Sequence, residues 1–100
     1  MESTIMTSIL HGELLKLIFL NGDGKLKNIE FYATLYGIDE LRFRFVCGTL
    51  KDSDEYCTLR LSDINSVEII AGYPYYKIPN KPTLHKNTEI ISQHQSFNQQ

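Results

Sequence analysis

The segment of sequence that decides the fold is residues 47–70, CGTLKDSDEYCTLRLSDINSVEII. A polar Lys-Asp-Ser-Asp turn leads into residues 56–61, where apolar and polar side chains alternate as in a strand with one buried face. The small polar residues 62–65 then interrupt the strand and favour a single 3₁₀ turn, with Ile64 packed into the core. Residues 66–70 predict another strand, so we expect two strands joined by a short break.

A hairpin signal lies upstream of this segment. Residues 14–20 and 25–32 flank the sequence Asn-Gly-Asp-Gly, which is a strong indicator of a tight turn between strands. The turn requires Gly24 in the left-handed conformation, which glycine adopts without steric cost. This loop places Leu17 opposite Ile29, and a shift of one residue would turn the apolar row away from the core.

After a short connection, residues 40–46, ELRFRFV, alternate and predict the third strand. If Phe45 lies opposite Leu59 of the fourth strand, both side chains face the core. The same register puts Arg44 opposite Arg60 on the outer face.

The two ends of the chain differ from this central part. The N-terminus predicts a short helix, since Ile5 and Ile9 fall on one helical face. Beyond the fifth strand the composition shifts to proline, tyrosine and polar residues, which predicts an extended, partly ordered segment. We therefore expect a mainly β domain at 1–70 and a C-terminal extension at 71–100. The domain is predicted as five antiparallel strands in a small SH3-like or Sm-like barrel.

Composition indicates a single small globular domain. The chain has 100 residues, of which 42% are hydrophobic, and its net charge of −2 gives no global basic field that would favour nucleic acid. Two cysteines are too few for a disulfide framework. The first residues lack the features of a signal peptide, and no apolar run is long enough for a membrane span. We expect a cytoplasmic protein with free thiols and no membrane contact.

Residues 56–64, YCTLRLSDI, are similar to the end of a family signature, Arg-x-Phe-Arg-Leu-Asp-x-Ile. Over residues 9–70 the chain resembles the WYL-domain family of bacterial regulators that carries this signature. Arg60, Leu61 and Ile64 match family positions, whereas Leu-Arg-Phe stands in place of the Trp-Tyr-Leu triplet. The Rho-inhibiting Rof family, an Sm-like domain, is similar in its Arg-Leu-Asp-x-Ile pattern. Both resemblances imply a small barrel with a regulatory role linked to bacterial transcription.

A group of basic residues is the first candidate site. In the predicted register Arg42, Arg44 and Arg60 project from one face, with Lys16 as a possible fourth member. One interpretation is a patch that binds a small anion or the phosphate backbone of a nucleic acid. The other is a solvated face whose charge is neutralised by nearby carboxylates.

Aromatic and basic residues alternate at the start of the C-terminal extension. Tyr73, Tyr75 and Tyr76 are followed by Lys77 and Lys81. Three interpretations fit this pattern: stacking on single-stranded bases, anchoring of the extension to the sheet, and a surface for self-association.

No set of residues forms a complete catalytic or metal site. Cys47 and Cys57 fit either a cross-strand thiol pair or small buried hydrophobes, and the three histidines lack partners at ligand spacing. We therefore predict a non-enzymatic regulatory binding module without metal or cofactor. Its main expected partner is another protein or a second copy of itself. The alternative is a nucleic-acid or small-anion sensor that uses the arginine face.

Overall fold

The computed structural model describes residues 1–99, which form an antiparallel six-stranded sheet and one α-helix. Two 3₁₀ turns, at Leu61–Asp63 and Gln95–Gln99, complete the regular structure. The predicted mainly β class with an N-terminal helix is confirmed. The elements are α1 Glu2–His11, β1 Leu14–Leu20, β2 Leu26–Ile38, β3 Arg44–Leu50, β4 Tyr56–Arg60, β5 Ile64–Ile70 and β6 Glu89–Gln93.

The strands follow the order β4-β3-β2-β1-β5, and β6 pairs with β2. Within residues 1–99 the sheet is open, and β4, β5 and β6 each pair with a single strand. The predicted count of five strands is one short, because β6 lies in the segment predicted to be extended and only partly ordered. None of the helices in this part of the chain is long and apolar enough to cross a membrane.

The hairpin of β1 and β2 has the predicted register, with Leu17 opposite Ile29. Gly24 adopts the expected left-handed conformation, with φ of 81°. The Asn21 side-chain oxygen accepts hydrogen bonds from the backbone N–H groups of Asp23 and Lys25, each at 3.2 Å. The turn chemistry of the sequence is therefore sufficient to explain this hairpin.

The long strand β2 includes the residues predicted as a connection at 34–38. A β-bulge lies between Ala33 and Leu35, where the register with β3 shifts. In a regular strand Ala33 and Leu35 would lie on the same face. Because of the extra residue in the bulge, Ala33 packs in one apolar cluster and Leu35 in the cluster on the opposite face. Gly37 makes room for β6, since a Cβ there would lie 2.5 Å from the backbone oxygen of Glu89.

Two apolar clusters cover the two faces of the sheet. The larger one lies under α1, whose buried residues Ile5 and Ile9 are those expected from the helical pattern. Ile64, predicted to enter the core from the turn before β5, is also part of it. The smaller cluster lies on the opposite face and consists of Leu35, Phe45, Cys47 and Phe97, with Leu84 packed against it.

The predicted register of β3 and β4 is wrong by one residue. Phe45 lies opposite Arg60, and Val46 lies opposite Leu59. Val46 therefore points into the larger cluster, while Phe45 points into the smaller one. Both faces of β3 are buried, so alternation alone could not select which row faces the helix.

The C-terminal residues contribute to the sheet and to a core. Within the predicted extended segment, Glu89–Gln93 form β6, which pairs with β2. Phe97 is only 1% exposed. The backbone N–H of His94 donates to the Thr34 carbonyl at 2.7 Å, which ties this end to the bulge in β2.

Candidate binding cleft

A cavity lies between the sheet and a segment that we call the C-terminal arm, residues 75–88. Its volume is about 1000 Å³. The arm leaves the sheet after β5, passes over β3 and β4, and returns as β6. The floor of the cleft is formed by alternate residues of two neighbouring strands: Phe45, Cys47 and Thr49 of β3, and Tyr56, Thr58 and Arg60 of β4.

The centre of the floor is polar but uncharged. The Cys47 Sγ atom lies 3.4 Å from the Thr58 Oγ1 atom, and the Thr34 hydroxyl donates to the Cys47 carbonyl at 3.5 Å. Burial raises the pKa of the Cys47 thiol and, to a greater extent, that of the Tyr56 hydroxyl. Both groups are therefore neutral near pH 7, and the floor offers hydroxyl and thiol groups rather than charges.

Polar side-chain pairs join the arm to the sheet at the two ends of the cleft. Lys77 Nζ donates to Asp54 Oδ1 at 2.7 Å, next to the turn between β3 and β4. His85 Nε2 lies 3.0 Å from Glu40 Oε2, next to the turn between β2 and β3. Between these pairs Pro79 is buried against the molecule. The arm is therefore fixed mainly by side-chain contacts.

Arg60 stands at the end of β4. The guanidinium carbon of Arg60 lies 4.1 Å from the centre of the Phe43 ring. Its Nη2 atom lies 3.9 Å from Asp39 Oδ2, which is too far for a hydrogen bond. Stacking on the ring therefore orients Arg60, and the guanidinium remains at the wall of the cleft.

The free edge of β4 borders the same cleft. Leu50 N–H donates to the Glu55 carbonyl at 3.0 Å, which identifies these two as a hydrogen-bonded pair of the antiparallel ladder. By alternation, Tyr56 and Thr58 direct their N–H and C=O groups away from β3. Within residues 1–99 no backbone hydrogen bond links these outward groups to another segment. The same two residues thus provide side chains to the floor and unpaired backbone groups to the edge.

The basic residues predicted to form one face are separated. Arg44 lies on the helix side, where it donates to Glu2 at 2.8 Å and to the Tyr36 hydroxyl at 3.4 Å. Arg42 lies in the turn after β2, 3.5 Å from Glu89. The assumption that Arg44 faces Arg60 is therefore wrong, because the register places Phe45 there.

Lys16 is also distant from Arg60 in the sheet. It is exposed on β1, with Glu30 of β2 and Glu68 of β5 as its cross-strand neighbours. Carboxylates flank it on both sides, which is the arrangement of a solvated, neutralised surface.

The two cysteines do not form a cross-strand pair. Cys47 lies opposite Thr58, and Cys57 lies opposite Gly48, so the thiols point to opposite faces of the sheet. Both are free, and Cys57 packs against the larger cluster. Burial raises the pKa of Cys57 to about 11, so neither thiol supplies a thiolate near pH 7.

The tyrosines after β5 have different surroundings. The Tyr75 ring lies 4.6 Å from that of Tyr32 on β2, and the Tyr75 N–H donates to the Gly12 carbonyl at 2.8 Å. Lys51 Nζ lies 4.4 Å from the centre of the Tyr73 ring. Tyr76, by contrast, is 88% exposed. Contacts of Tyr75 and Tyr73 with the sheet match the anchoring interpretation, while Lys77 forms the ion pair described above.

Sequence reasoning missed the cleft because its two walls are distant in the chain. Alternation correctly placed Thr58 and Arg60 on one face of β4, but gave no sign that the arm returns over that face. The only local signal was the density of prolines in residues 74–82, which favours an extended backbone.

Comparison with protein-family models finds no match, and comparisons with curated proteins and with solved structures find none either. Within residues 1–99 no three histidine, cysteine, aspartate or glutamate side chains cluster as ligands for a metal ion. The fold and the cleft define a small mainly β protein with a large groove beside a free strand edge.

Proposed function

We propose that this protein is a non-enzymatic binding module that takes an extended peptide segment of a partner protein along β4. The observation that carries the proposal is the coincidence of a free strand edge and a cleft at Tyr56 and Thr58. A peptide that adds a strand there gains backbone hydrogen bonds, and its alternate side chains enter the cleft.

The dimensions and chemistry of the cleft support a peptide of this kind. Strand β4 has five residues, which matches a peptide core of about 17 Å at the usual rise per residue. The floor carries Phe45 beside hydroxyl groups, and the arm adds Pro79 and Leu84. Such a lining accommodates apolar side chains with a few polar contacts.

The expected regulatory role belongs to the same proposal. The 3₁₀ turn between β4 and β5 lies at the predicted break, and the open sheet leaves β4 available as an edge for a partner. The resemblance to the WYL and Rof families supports a cytoplasmic module of bacterial transcription control.

Selection from a displayed library of random heptapeptides tests the proposal. Enriched peptides should bind with apolar residues at alternate positions, and backbone N-methylation at alternate peptide positions should abolish binding. Amide resonances of Tyr56 and Thr58 should shift and become protected from exchange in the complex. If no peptide binds saturably, or if binding leaves these amides unchanged, the proposal fails.

Two variants at one position separate the backbone from the side chain. Thr58→Pro removes an N–H that β3 does not use, so binding should be lost while the sheet is retained. Thr58→Ala keeps the N–H and should bind far better than the proline variant. Circular dichroism and thermal unfolding check that both variants fold; equal peptide affinity of both would contradict strand addition.

The nucleic-acid alternative predicts a different salt response. Binding through phosphate contacts weakens steeply as salt rises, whereas strand addition into an apolar cleft depends on salt only weakly. Titration of a single-stranded oligonucleotide panel at two salt concentrations distinguishes the two.

A further inference from the structure

Arg60 is an oriented cation whose side chain donates no hydrogen bond within residues 1–99, and its nearest carboxylate oxygen, Asp39 Oδ2, lies 3.9 Å away. The side chain is 46% exposed and stacked on Phe43. Stacking already limits the freedom of the guanidinium. Binding of a ligand therefore costs less side-chain entropy at Arg60 than it would at a mobile cation.

The neighbouring carboxylate of Asp39 has a different role. Its Oδ1 atom accepts the backbone N–H groups of Leu41 and Phe43, each at 2.9 Å. These bonds shape the turn that carries the Phe43 ring. Asp39 Oδ2 lies 3.9 Å from Arg60 Nη2, within ion-pair distance but beyond hydrogen-bond distance, so the hydrogen-bond donors of Arg60 remain available to a bidentate partner.

The other cations near the cleft are less suited to this task. Lys77 is hydrogen-bonded to Asp54 at 2.7 Å. Lys81 lines the cleft without an ion pair in residues 1–99, but it is exposed and unstacked. Arg60 alone among these three combines a fixed position with a planar set of donors that matches a carboxylate.

Arg60 also lies at a defined point along the proposed peptide. It follows Thr58 by two residues on β4, on the same face and at the end of the strand. A peptide paired with the β4 edge would therefore bring a side chain or a chain end to Arg60 just beyond the segment that fills the cleft.

We propose that Arg60 binds a carboxylate of the peptide ligand, so that the module selects peptides with an acidic group at the Arg60 end of β4. This inference rests on the proposed function. The carboxylate comes either from an aspartate or glutamate side chain or from the C-terminus of the peptide; both offer the same two oxygens to the guanidinium.

The test uses a heptapeptide selected from the random library, made in three forms. One form has its acidic residue replaced by the amide isostere, one has its C-terminus amidated, and one is unchanged. Loss of the relevant carboxylate should weaken binding to the wild-type protein about tenfold to a hundredfold, because charge-assisted hydrogen bonds are lost. If the side-chain amide form loses affinity, the carboxylate comes from an aspartate or glutamate. If the C-terminally amidated form loses affinity, it comes from the end of the peptide.

Variants of the protein complete a double-mutant cycle. In Arg60→Gln the acidic and amide peptides should bind equally, and in Arg60→Lys the preference should be intermediate because the fork is lost. Arg42→Gln is the matched control, since Arg42 is a nearby arginine that does not line the cleft; it should retain the full preference.

Two results would overturn this inference while leaving strand addition intact. One is equal affinity of acidic and amide peptides for the wild-type protein. The other is an unchanged acid preference in Arg60→Gln together with a lowered Tm, which would make Arg60 a structural partner of Asp39. Failure of every selected peptide to perturb the β4 amides would instead refute the proposed function itself.

Discussion

Replacing Phe97 with alanine tests whether the end of the chain completes the smaller core. Phe97 is 1% exposed and packs with Leu35, Phe45 and Cys47 on the face that the arm covers. An extension that merely lay along the sheet would lose little when one side chain is shortened. Shortening a side chain that fills a core, by contrast, leaves a cavity that destabilises the fold.

The magnitude follows from burial. A fully buried phenylalanine replaced by alanine costs about 3–5 kcal/mol, and a domain of this size has about 5–15 kcal/mol in total. The variant should therefore unfold at a Tm more than about 10 °C below that of the wild type. If the C-terminal end detaches first, the amides of β6 should exchange faster than those of β1.

Urea denaturation followed by circular dichroism measures the free energy of unfolding, and native-state hydrogen exchange measures local opening. Tyr76→Ala is the control, because Tyr76 is aromatic, lies in the same extension and is 88% exposed. Its effect should stay within about 0.5 kcal/mol. A Phe97→Ala protein whose stability and β6 exchange both match the control would refute our placement of the C-terminal end.

Three further changes have expected outcomes. Gly48→Ala should destabilise the fold by about 1–3 kcal/mol in urea denaturation, because a Cβ there collides with the Phe31 ring. The Cys57 thiol has an ordinary pKa of 9.0, which rises to about 11 in the folded protein. Between these two pH values only the unfolded protein loses the thiol proton, so the free energy of unfolding should fall as pH rises. Above about 11 the contribution of Cys57 should become constant. The loss from this group is on the order of 3 kcal/mol, and Cys57→Val should show a shallower pH dependence in the same denaturation series. Lys77→Gln should leave the urea midpoint almost unchanged, at low and at high salt, because its pair with Asp54 is exposed and screened by solvent.

Parts of the fold followed directly from local sequence. The hairpin register of β1 and β2 came from one turn and one alternating row, and Ile64 entered the core from the predicted break. The β3–β4 register did not follow, because β3 is buried on both faces and its two rows are both apolar. Thus Arg44 and Arg60, expected side by side, belong to opposite surfaces of the sheet.

The candidate site was predicted only in part. Alternation in β4 put Thr58 and Arg60 on one face, and Arg60 was already a candidate binding residue. Its orientation depends on Phe43, which comes from a turn whose shape is set by Asp39. No local pattern encodes that contact, because the two residues meet only when β3 and β4 pair.

The sequence by itself therefore determined the class of the fold, the first hairpin, the N-terminal helix and the break before β5. Each depends on interactions between residues a few positions apart, which turn chemistry and periodicity express directly. Only the tertiary structure decided which face of β3 meets the helix and where the C-terminal arm lies. These depend on which of several apolar surfaces bury each other, and that choice made the cleft beside β4 and left Arg60 at its wall.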